Sequence, residues 1–304
     1  MKVLCFGSLN IDYTYHVPHF AQKGETLASD SRQVFVGGKG LNQSVALARA
    51  GAEVYHAGAI GEDGKFLLEY LNGSGVNTDH VRVLSDTASG HAIIQNDPDG
   101  DNCIILYGGA NQRMERSHID DVLSRFERND FLVLQNEINE LDYLICHGHE
   151  RGMQIVLNPS PMEDSVLELP LELVDYLFVN RLEAEQILKE DVSECYGEQI
   201  AMKLLDRYPN MKIVLTLGEE GAVFVNSYMT VEQPAYRVHA VDTTAAGDTF
   251  TGFLIAQIMQ GTFEMAAMDV AAKAAAICVT RPGAAPSIPT MEDLDRQALC
   301  GCYC

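Results

Sequence analysis

Short apolar runs that recur between helical stretches are the strongest constraint on how this chain folds. KVLCF at 2–6 stops at Gly7, and 53–60, FLVLQ at 131–135, QIVL at 154–157, YLFV at 176–179 and IVLTL at 213–217 repeat the pattern. Runs of this length without polar alternation read as strands buried on both faces. Between them, 39–51 places Leu41, Val45, Leu47 and Ala48 at helical spacing with Gly51 at its end, and 63–72 reads as an amphipathic helix capped by Asp63. Such alternation specifies an α/β fold with a central, mainly parallel β-sheet and helices on both faces. The stretches 247–260 and 264–280 are apolar and alanine-rich, which suits close helix packing.

Four strand-like segments interrupt the rhythm: 11–18, 32–36, 90–97 and 102–108, the last two flanking Pro98-Asp99-Gly100, a hairpin turn signal. They predict a small antiparallel β-sheet projecting from the body. A one-sided sheet needs cover, so it either closes over a ligand as a lid or pairs with a second subunit. Without a linker, repeat or low-complexity segment, 1–304 reads as one domain carrying this lid.

Charge narrows the partners. Twenty-one Lys and Arg stand against 43 Asp and Glu, a formal charge of −22. Phosphodiester backbones and anionic membranes repel such a chain, which excludes general nucleic-acid binding. A small anionic substrate stays open, because peptide dipoles and a metal can overcome net charge locally. No apolar run approaches the ~18 residues of a membrane span. MKVLCFGSLNID has no signal-peptide core, so the eight cysteines read as reduced thiols in a cytoplasmic setting.

The sharpest motif is Asp242-Thr243-Thr244-Ala245-Ala246-Gly247-Asp248-Thr249-Phe250. Small residues permit a tight turn, an apolar helix follows at once, and that helix's first amides lack internal partners and form an anion site. Asp248 beside it would accept a hydrogen bond from a hydroxyl and take its proton late, which the loose transition state of phosphoryl transfer tolerates. A capping Asp on a structural helix uses the same residues. Gly37-Gly38-Lys39-Gly40-Leu41-Asn42 lets a ligand approach the backbone, or makes a plain tight turn; Gly40 after Lys39 rules out a Walker A loop, and the glycine spacing of Gly58-Ala59-Ile60-Gly61-Glu62-Asp63-Gly64 rules out a Rossmann fingerprint. Asn10 and Asp12 alternate onto one face of a strand and suit neighbouring hydroxyls of a polyol, or a solvated edge.

Together these pieces resemble the ribokinase-like family of carbohydrate kinases, the phosphofructokinase B type, from Gly7 to about Pro289. The resemblance is carried by GSLNID at 7–12, KGET at 23–26, VGGKGLNQSVALARAGA at 36–52, AIGEDG at 59–64, GGAN at 108–111, LQNE at 134–137, LNPSP at 157–161, NRLEAE at 180–185, TLGEEGA at 216–222, VDTTAAGDTF at 241–250 and VTRPGAAPSIP at 279–289. It implies a ribokinase-like fold and an ATP-dependent kinase that phosphorylates the O5 hydroxyl of D-ribose. Asp248 matches the family's base, and Ala245, Ala246 and Gly247 its anion hole. Asn10, Asp12, Gly38, Lys39, Asn42 and Glu137 match sugar-contacting positions. Asn180 and Glu183 match the Asn-x-x-Glu motif of the Mg2+-phosphate site, and Thr216 and Gly218 match nucleotide contacts. Asp242 and the Thr244 carbonyl match one side of a monovalent-cation loop, normally for K+, and Cys278, Arg281, Gly283 and Ser287 the other. A homodimer through the lids is implied by the same resemblance.

The chain also departs from the family pattern. His91 stands on the lid where an apolar residue is usual, and either reaches a substrate hydroxyl or covers the pocket. Arg181 replaces a common Glu inside the Asn-x-x-Glu motif, and Ala272-Lys273 offers no Asn or His for adenine. The same fold serves a nucleoside, with His91 and Tyr107 as a stacking wall, or pseudouridine, deoxyribose or a phosphosugar, for which Lys39 is the one obvious cation. A non-catalytic sugar sensor would keep Asn10, Asp12 and Asn42 but has no need of Asp248 beside a small-residue turn. Cys146-His147-Gly148-His149-Glu150 reads as a solvated helix end, and Cys300, Cys302 and Cys304 as a frayed terminus rather than a soft-metal site.

Overall fold

A computed structural model describes residues 1–98 and 101–296. The Asp99-Gly100 tip of the hairpin turn and the Cys300–Cys304 tail lie outside the described residues. In chain order the first half runs β1 (Val3–Phe6), β2 (Asn10–His16), β3 (Ser31–Gly37), α1 (Lys39–Arg49), β4 (Val54–Gly61), α2 (Lys65–Gly73), β5 (Asn77–Leu84), β6 (Gly90–Asn96) and β7 (Asn102–Tyr107). There follow α3 (Arg116–Leu123), β8 (Phe131–Gln135), α4 (Leu141–Glu150), β9 (Gln154–Asn158), β10 (Tyr176–Asn180), α5 (Arg181–Leu188) and α6 (Gly197–Arg207). The last part holds β11 (Lys212–Thr216), β12 (Ala222–Val225), β13 (Thr230–Gln233), α7 (Ala246–Met259), α8 (Glu264–Val279) and α9 (Met291–Arg296).

Nine strands form the main sheet in the order β13-β12-β11-β10-β9-β8-β1-β4-β5, parallel except at the β11–β12 and β12–β13 pairs. Leu41, Leu67, Phe253 and Met268 build a core between one face and α1, α2, α7 and α8, while Ile119, Leu144, Ile187 and Ile200 build a second core under α3 to α6. Each fully buried side chain of this kind contributes about 1.5–3 kcal/mol. The apolar runs therefore read continuously because both faces of the sheet are covered.

The second sheet has the order β3-β2-β6-β7. It consists of two antiparallel pairs, β2–β3 and β6–β7, joined by a parallel register between β2 and β6. All of β7 is exposed, as are Val34 and Ile93. Asp63 does not cap α2: it sits in a 3-10 turn at Glu62–Gly64, and the N-cap is Gly64. Its Oδ1 instead accepts the Ser89 amide at 2.9 Å and the Ser89 hydroxyl at 2.8 Å, tying the entry of α2 to the root of the lid. Cys146-His147-Gly148-His149-Glu150 closes α4, and no cluster of His, Cys, Asp and Glu able to hold a metal occurs among the described residues. No described helix is long and apolar enough to cross a membrane.

Candidate functional site

The site is assembled where α1 meets the turn between β1 and β2. Gly38 precedes α1 with φ 94, and a Cβ there would lie 3.0 Å from both the Asn10 amide nitrogen and the Ser8 carbonyl oxygen. The first amides of α1, which have no partner inside the helix, are satisfied from outside. Lys39 N–H donates to Glu137 Oε2 at 3.0 Å, Gly40 N–H to Ser8 Oγ at 3.2 Å and Leu41 N–H to the Ser8 carbonyl at 3.0 Å. The Ser8 hydroxyl donates in turn to Glu137. Asn10 Oδ1 accepts Asn111 Nδ2 at 2.7 Å, and Asn111 Oδ1 accepts the Leu9 amide at 3.0 Å. Asn10 and Glu137 both line a cavity of about 380 Å³ under the lid.

Burial and then the Glu137 charge push the Asp12 carboxyl up to about 7. Burial raises Glu137 as well, against the Ser8 hydrogen bond and the Lys39 charge. Burial works to discharge Lys39, but Asp248, Glu137 and Glu183 outweigh it and keep the ammonium charged. A polyol supplies hydroxyl donors to such carboxylates, and an ionised carboxylate accepts them best. The sugar KM is therefore expected to fall as pH rises through about 7, and Asp12→Asn should flatten that profile. The unliganded fold carries the opposite dependence. Between the unfolded value of 3.8 and about 7 the folded chain holds a proton that the unfolded chain lacks, so this group's contribution is present at low pH and lost as pH rises through about 7. Thermal melts of parent and Asp12→Asn between pH 5 and pH 8 measure it; equal pH slopes would remove Asp12 as the source.

The motif at 242–250 forms a turn and the start of α7. Ala245 holds φ 61, a left-handed conformation uncommon for a non-glycine residue. The amides of Gly247 and Asp248 have no protein partner among the described residues. A Cβ on Gly247 would meet nothing within 4 Å, so this backbone faces open space. Asp248, 6% exposed, accepts Asn42 Nδ2 on Oδ2 at 3.0 Å and Gln43 Nε2 on Oδ1 at 2.9 Å. Asn42 Oδ1 is buried without a partner, an acceptor that a ligand hydroxyl can satisfy.

Lys39, Glu183, Gly247 and Asp248 all line a cavity of about 210 Å³. It shares Thr216, Thr243, Ala246 and Gly247 with a larger one of about 930 Å³, which is also lined by Gly218, the exposed Arg237 and the alanines of α8. Asn180 and Glu183 form a reciprocal capping box on α5, with Glu183 N–H on Asn180 Oδ1 and Asn180 N–H on Glu183 Oε2, both at 2.9 Å. This leaves Glu183 buried at the cavity wall, where its carboxylate fits a hard divalent ion. Arg181 turns away from the cavity, donating to the Cys195 carbonyl at 2.8 Å and pairing with Glu220 at 3.5 Å.

Asp242 Oδ1 accepts the Thr244 amide and Oδ2 the Gly283 amide, both at 2.9 Å. Burial works against its charge, but the hydrogen bonds from Thr244 and Gly283 outweigh burial and hold the carboxyl below its ordinary value. Cys278 Sγ lies 3.7 Å from the Thr244 carbonyl and 3.0 Å from Ser287 Oγ. The two expected sides of the cation loop are thus adjacent, and their carboxylate, carbonyl and hydroxyl oxygens form a hard donor set that fits a monovalent cation. The Arg281 guanidinium leaves the loop and pairs with Asp293 at 3.2 Å.

His91 is placed differently from the expectation that it faces the sugar. The β2–β6 register pairs Asn10 with Gly90, Ile11 with His91 and Asp12 with Ala92. His91 therefore shares the lid face of Ile11 and Tyr13, its ring 5.8 Å from Tyr13 and 4.9 Å from Tyr107, while Ala92 shares the face of Asp12. The stacking wall against a nucleoside base is lost by the same parity. Sequence reasoning missed Ser8, Gln43, Asn111 and Asn158. All four lie within pieces that carry the resemblance, GSLNID, GLNQS, GGAN and LNPSP, but which of their side chains meet depends on how α1 and the strand ends are laid side by side.

Deep carboxylate, unpartnered helix amides and two contiguous cavities define a phosphotransferase acting on a small polyhydroxylated acceptor. The chain belongs to the pfkB family of carbohydrate kinases, whose family model matches residues 1–291. A ribokinase of Haemophilus influenzae is 33% identical over 294 residues, covering 94% of this chain and 95% of that protein. The structure of an Arabidopsis thaliana ribokinase complexed with ribose and ATP superposes with a TM-score of 0.85 at 27% identity, covering 97% of both chains. A Cryptococcus neoformans ribokinase in complex with ADP gives 0.82 at 31%, covering 97% of this chain and 99% of that one.

Proposed function

We propose that this chain is an ATP-dependent kinase that transfers the γ-phosphoryl group to the O5 hydroxyl of D-ribose, giving D-ribose 5-phosphate. The observation that carries the reading is the seat of Asp248: buried, held by two neutral amides, and at the first turn of a helix whose open amides face a cavity continuous with the larger one. Asn10, Asp12, Gly38, Lys39, Asn42 and Glu137 bind the sugar and orient one hydroxyl toward Asp248. Each carboxylate oxygen keeps a further lone pair beyond the amide it accepts, so Asp248 takes the hydroxyl proton as the oxygen attacks phosphorus. The open amides of Gly247 and Asp248 stabilise the charge on the transferring group, while the Ala246 amide stays on the Thr243 carbonyl at 3.3 Å, and the bond to the ADP oxygen breaks.

Mg2+ would neutralise charge on the donor phosphates, and Glu183, buried in the cavity wall, would be the carboxylate that holds it. The loop of Asp242, Thr244, Cys278, Gly283 and Ser287 takes K+, and Arg281 acts there through its backbone only. The lid closes over the sugar and excludes water, which would otherwise accept the phosphoryl group. Its exposed apolar residues, among them Ile105 at 58% exposure, pair with the lid of a second copy to form a homodimer, whose mass sedimentation velocity reads directly. A cytoplasmic setting suits the free thiols of Cys5, Cys103, Cys146, Cys195 and Cys278.

The test is a coupled ATP-consumption assay across pentoses, hexoses and nucleosides, with and without K+. Ribose is expected to give the highest kcat/KM, and K+ to raise turnover. A nucleoside preferred over ribose would overturn the acceptor, and no turnover with any of them would overturn the kinase reading.

A further inference from the structure

Behind Asp248 lies a chain of neutral amides. We infer that Gln43 is a positioning residue for this reaction, fixing the Asp248 carboxylate from the side away from the acceptor; the inference rests on the reading of Asp248 as the base. Gln43 and Gln135 are both 0% exposed. The Gln43 amide is held at both ends. Its Nε2 donates to Asp248 Oδ1 at 2.9 Å and to Asn158 Oδ1 at 3.2 Å, and its Oε1 accepts Gln135 Nε2 at 2.7 Å.

The neighbours decide which way this amide points. Asn158 Nδ2 donates to the Phe178 carbonyl at 3.0 Å, so Asn158 presents oxygen, not nitrogen, to Gln43. Gln135 presents nitrogen. A reversed Gln43 would set its oxygen against both the Asp248 carboxylate and Asn158, and its N–H groups against those of Gln135. The last residues of β8 and β9, the latter anchored on the middle of β10, thereby hold the Gln43 amide of α1 on a carboxylate of α7.

A neutral donor fixes the carboxylate without cancelling its charge, which a lysine or arginine in the same place would do. Asn42 grips the other oxygen, but its free Oδ1 marks it as a ligand-facing group. Gln43 has no such free atom: all its hydrogen-bonding capacity near the carboxylate is spent inside the protein. Its contribution is therefore to geometry at the reacting oxygen and not to sugar affinity. A misplacement of about 1 Å at such a group can cost about a hundredfold in rate.

The experiment compares the parent with Gln43→Met, Gln135→Met and the double variant, measuring kcat, the ribose KM and calorimetric ribose binding. Gln43→Met keeps the length and loses the donor. Its kcat is expected to fall about a hundredfold with ribose binding within about threefold of the parent. Gln135→Met releases the far end of the Gln43 amide, together with a weak 3.6 Å contact to Cys5 Sγ, and should cost about tenfold in kcat. The double variant should be no worse than Gln43→Met alone, because Gln135 acts through Gln43. A kcat for Gln43→Met within threefold of the parent, a loss of ribose binding that matches the loss of kcat, or losses that multiply in the double variant would each overturn the assignment. If Gln43→Met does not fold, Gln135→Met decides: an unchanged kcat overturns the inference and a tenfold loss at constant ribose KM supports it. A parent that turns over no sugar sinks the kinase reading, and the role of Gln43 with it, whereas an active parent with a normal Gln43→Met sinks only the latter.

Discussion

Asp248→Ala is expected to lower kcat about a thousandfold while ribose still binds. In the proposed mechanism the side chain reaches the reacting hydroxyl, but the sugar is gripped mainly by Asn10, Asp12, Lys39, Asn42 and Glu137, which lie on other elements. Removing the carboxylate leaves Asn42 Nδ2 and Gln43 Nε2 without their acceptor. Such an orphaned donor costs about 1–3 kcal/mol when sealed in, but the position that the carboxylate vacates lines a cavity that water can enter. The variant should therefore fold, with a modest fall in Tm. Lys39 also loses one of the three carboxylates that keep it charged, so some change in the pH dependence of binding accompanies the loss of turnover. Steady-state kinetics and calorimetric titration with ribose separate the two effects. Near-normal turnover would mean that proton removal is not the task of Asp248, and a parallel collapse of ribose binding would make it a sugar ligand and nothing more.

The elements that the sequence shows well are those whose signal is local. β1, β8 and β11 are short apolar runs because both faces of the sheet are covered there, and the turn before α7 is small and polar because a backbone must be approached. β5 escaped notice: its residues, Asn77–Leu84, are half-buried at a sheet edge and show neither a continuous apolar run nor clean alternation. The side-by-side placing of β2 and β6 has no local signature either, since α1, β4, α2 and β5 intervene. That one register decides that Ala92 and not His91 stands with Asp12. Gln43 was hidden for a similar reason. Adjacent helical residues point about 100° apart, so nothing in GLNQS shows that Asn42 and Gln43 converge on one carboxylate; α7 has to be laid against α1 first.

The dependence of the whole site on that close seating gives the second large expectation, for Gly40→Ala. An added Cβ would lie 2.4 Å from the Ser8 nitrogen, 2.6 Å from the Gly7 carbonyl carbon and 2.8 Å from Gly7 Cα. All three are backbone atoms, so no rotamer change relieves the overlap; the start of α1 has to lift from the β1–β2 turn. Overpacking of this kind costs about 1–3 kcal/mol. It also strains the bonds from the Gly40 and Leu41 amides to Ser8 and from Cys5 Sγ to the Gly40 carbonyl at 3.4 Å. Lys39, Asn42 and Gln43 ride on the same turn of helix, so the shift that accommodates one methyl group displaces a sugar contact and both amides on Asp248 together. Activity should consequently fall further than stability: kcat/KM by about a thousandfold or more, because displaced binding and displaced base multiply. Thermal unfolding beside steady-state kinetics reads both quantities on one preparation. A Gly40→Ala protein with the parent's Tm and turnover would show that α1 slides freely on the turn and that its position does not set the geometry around Asp248.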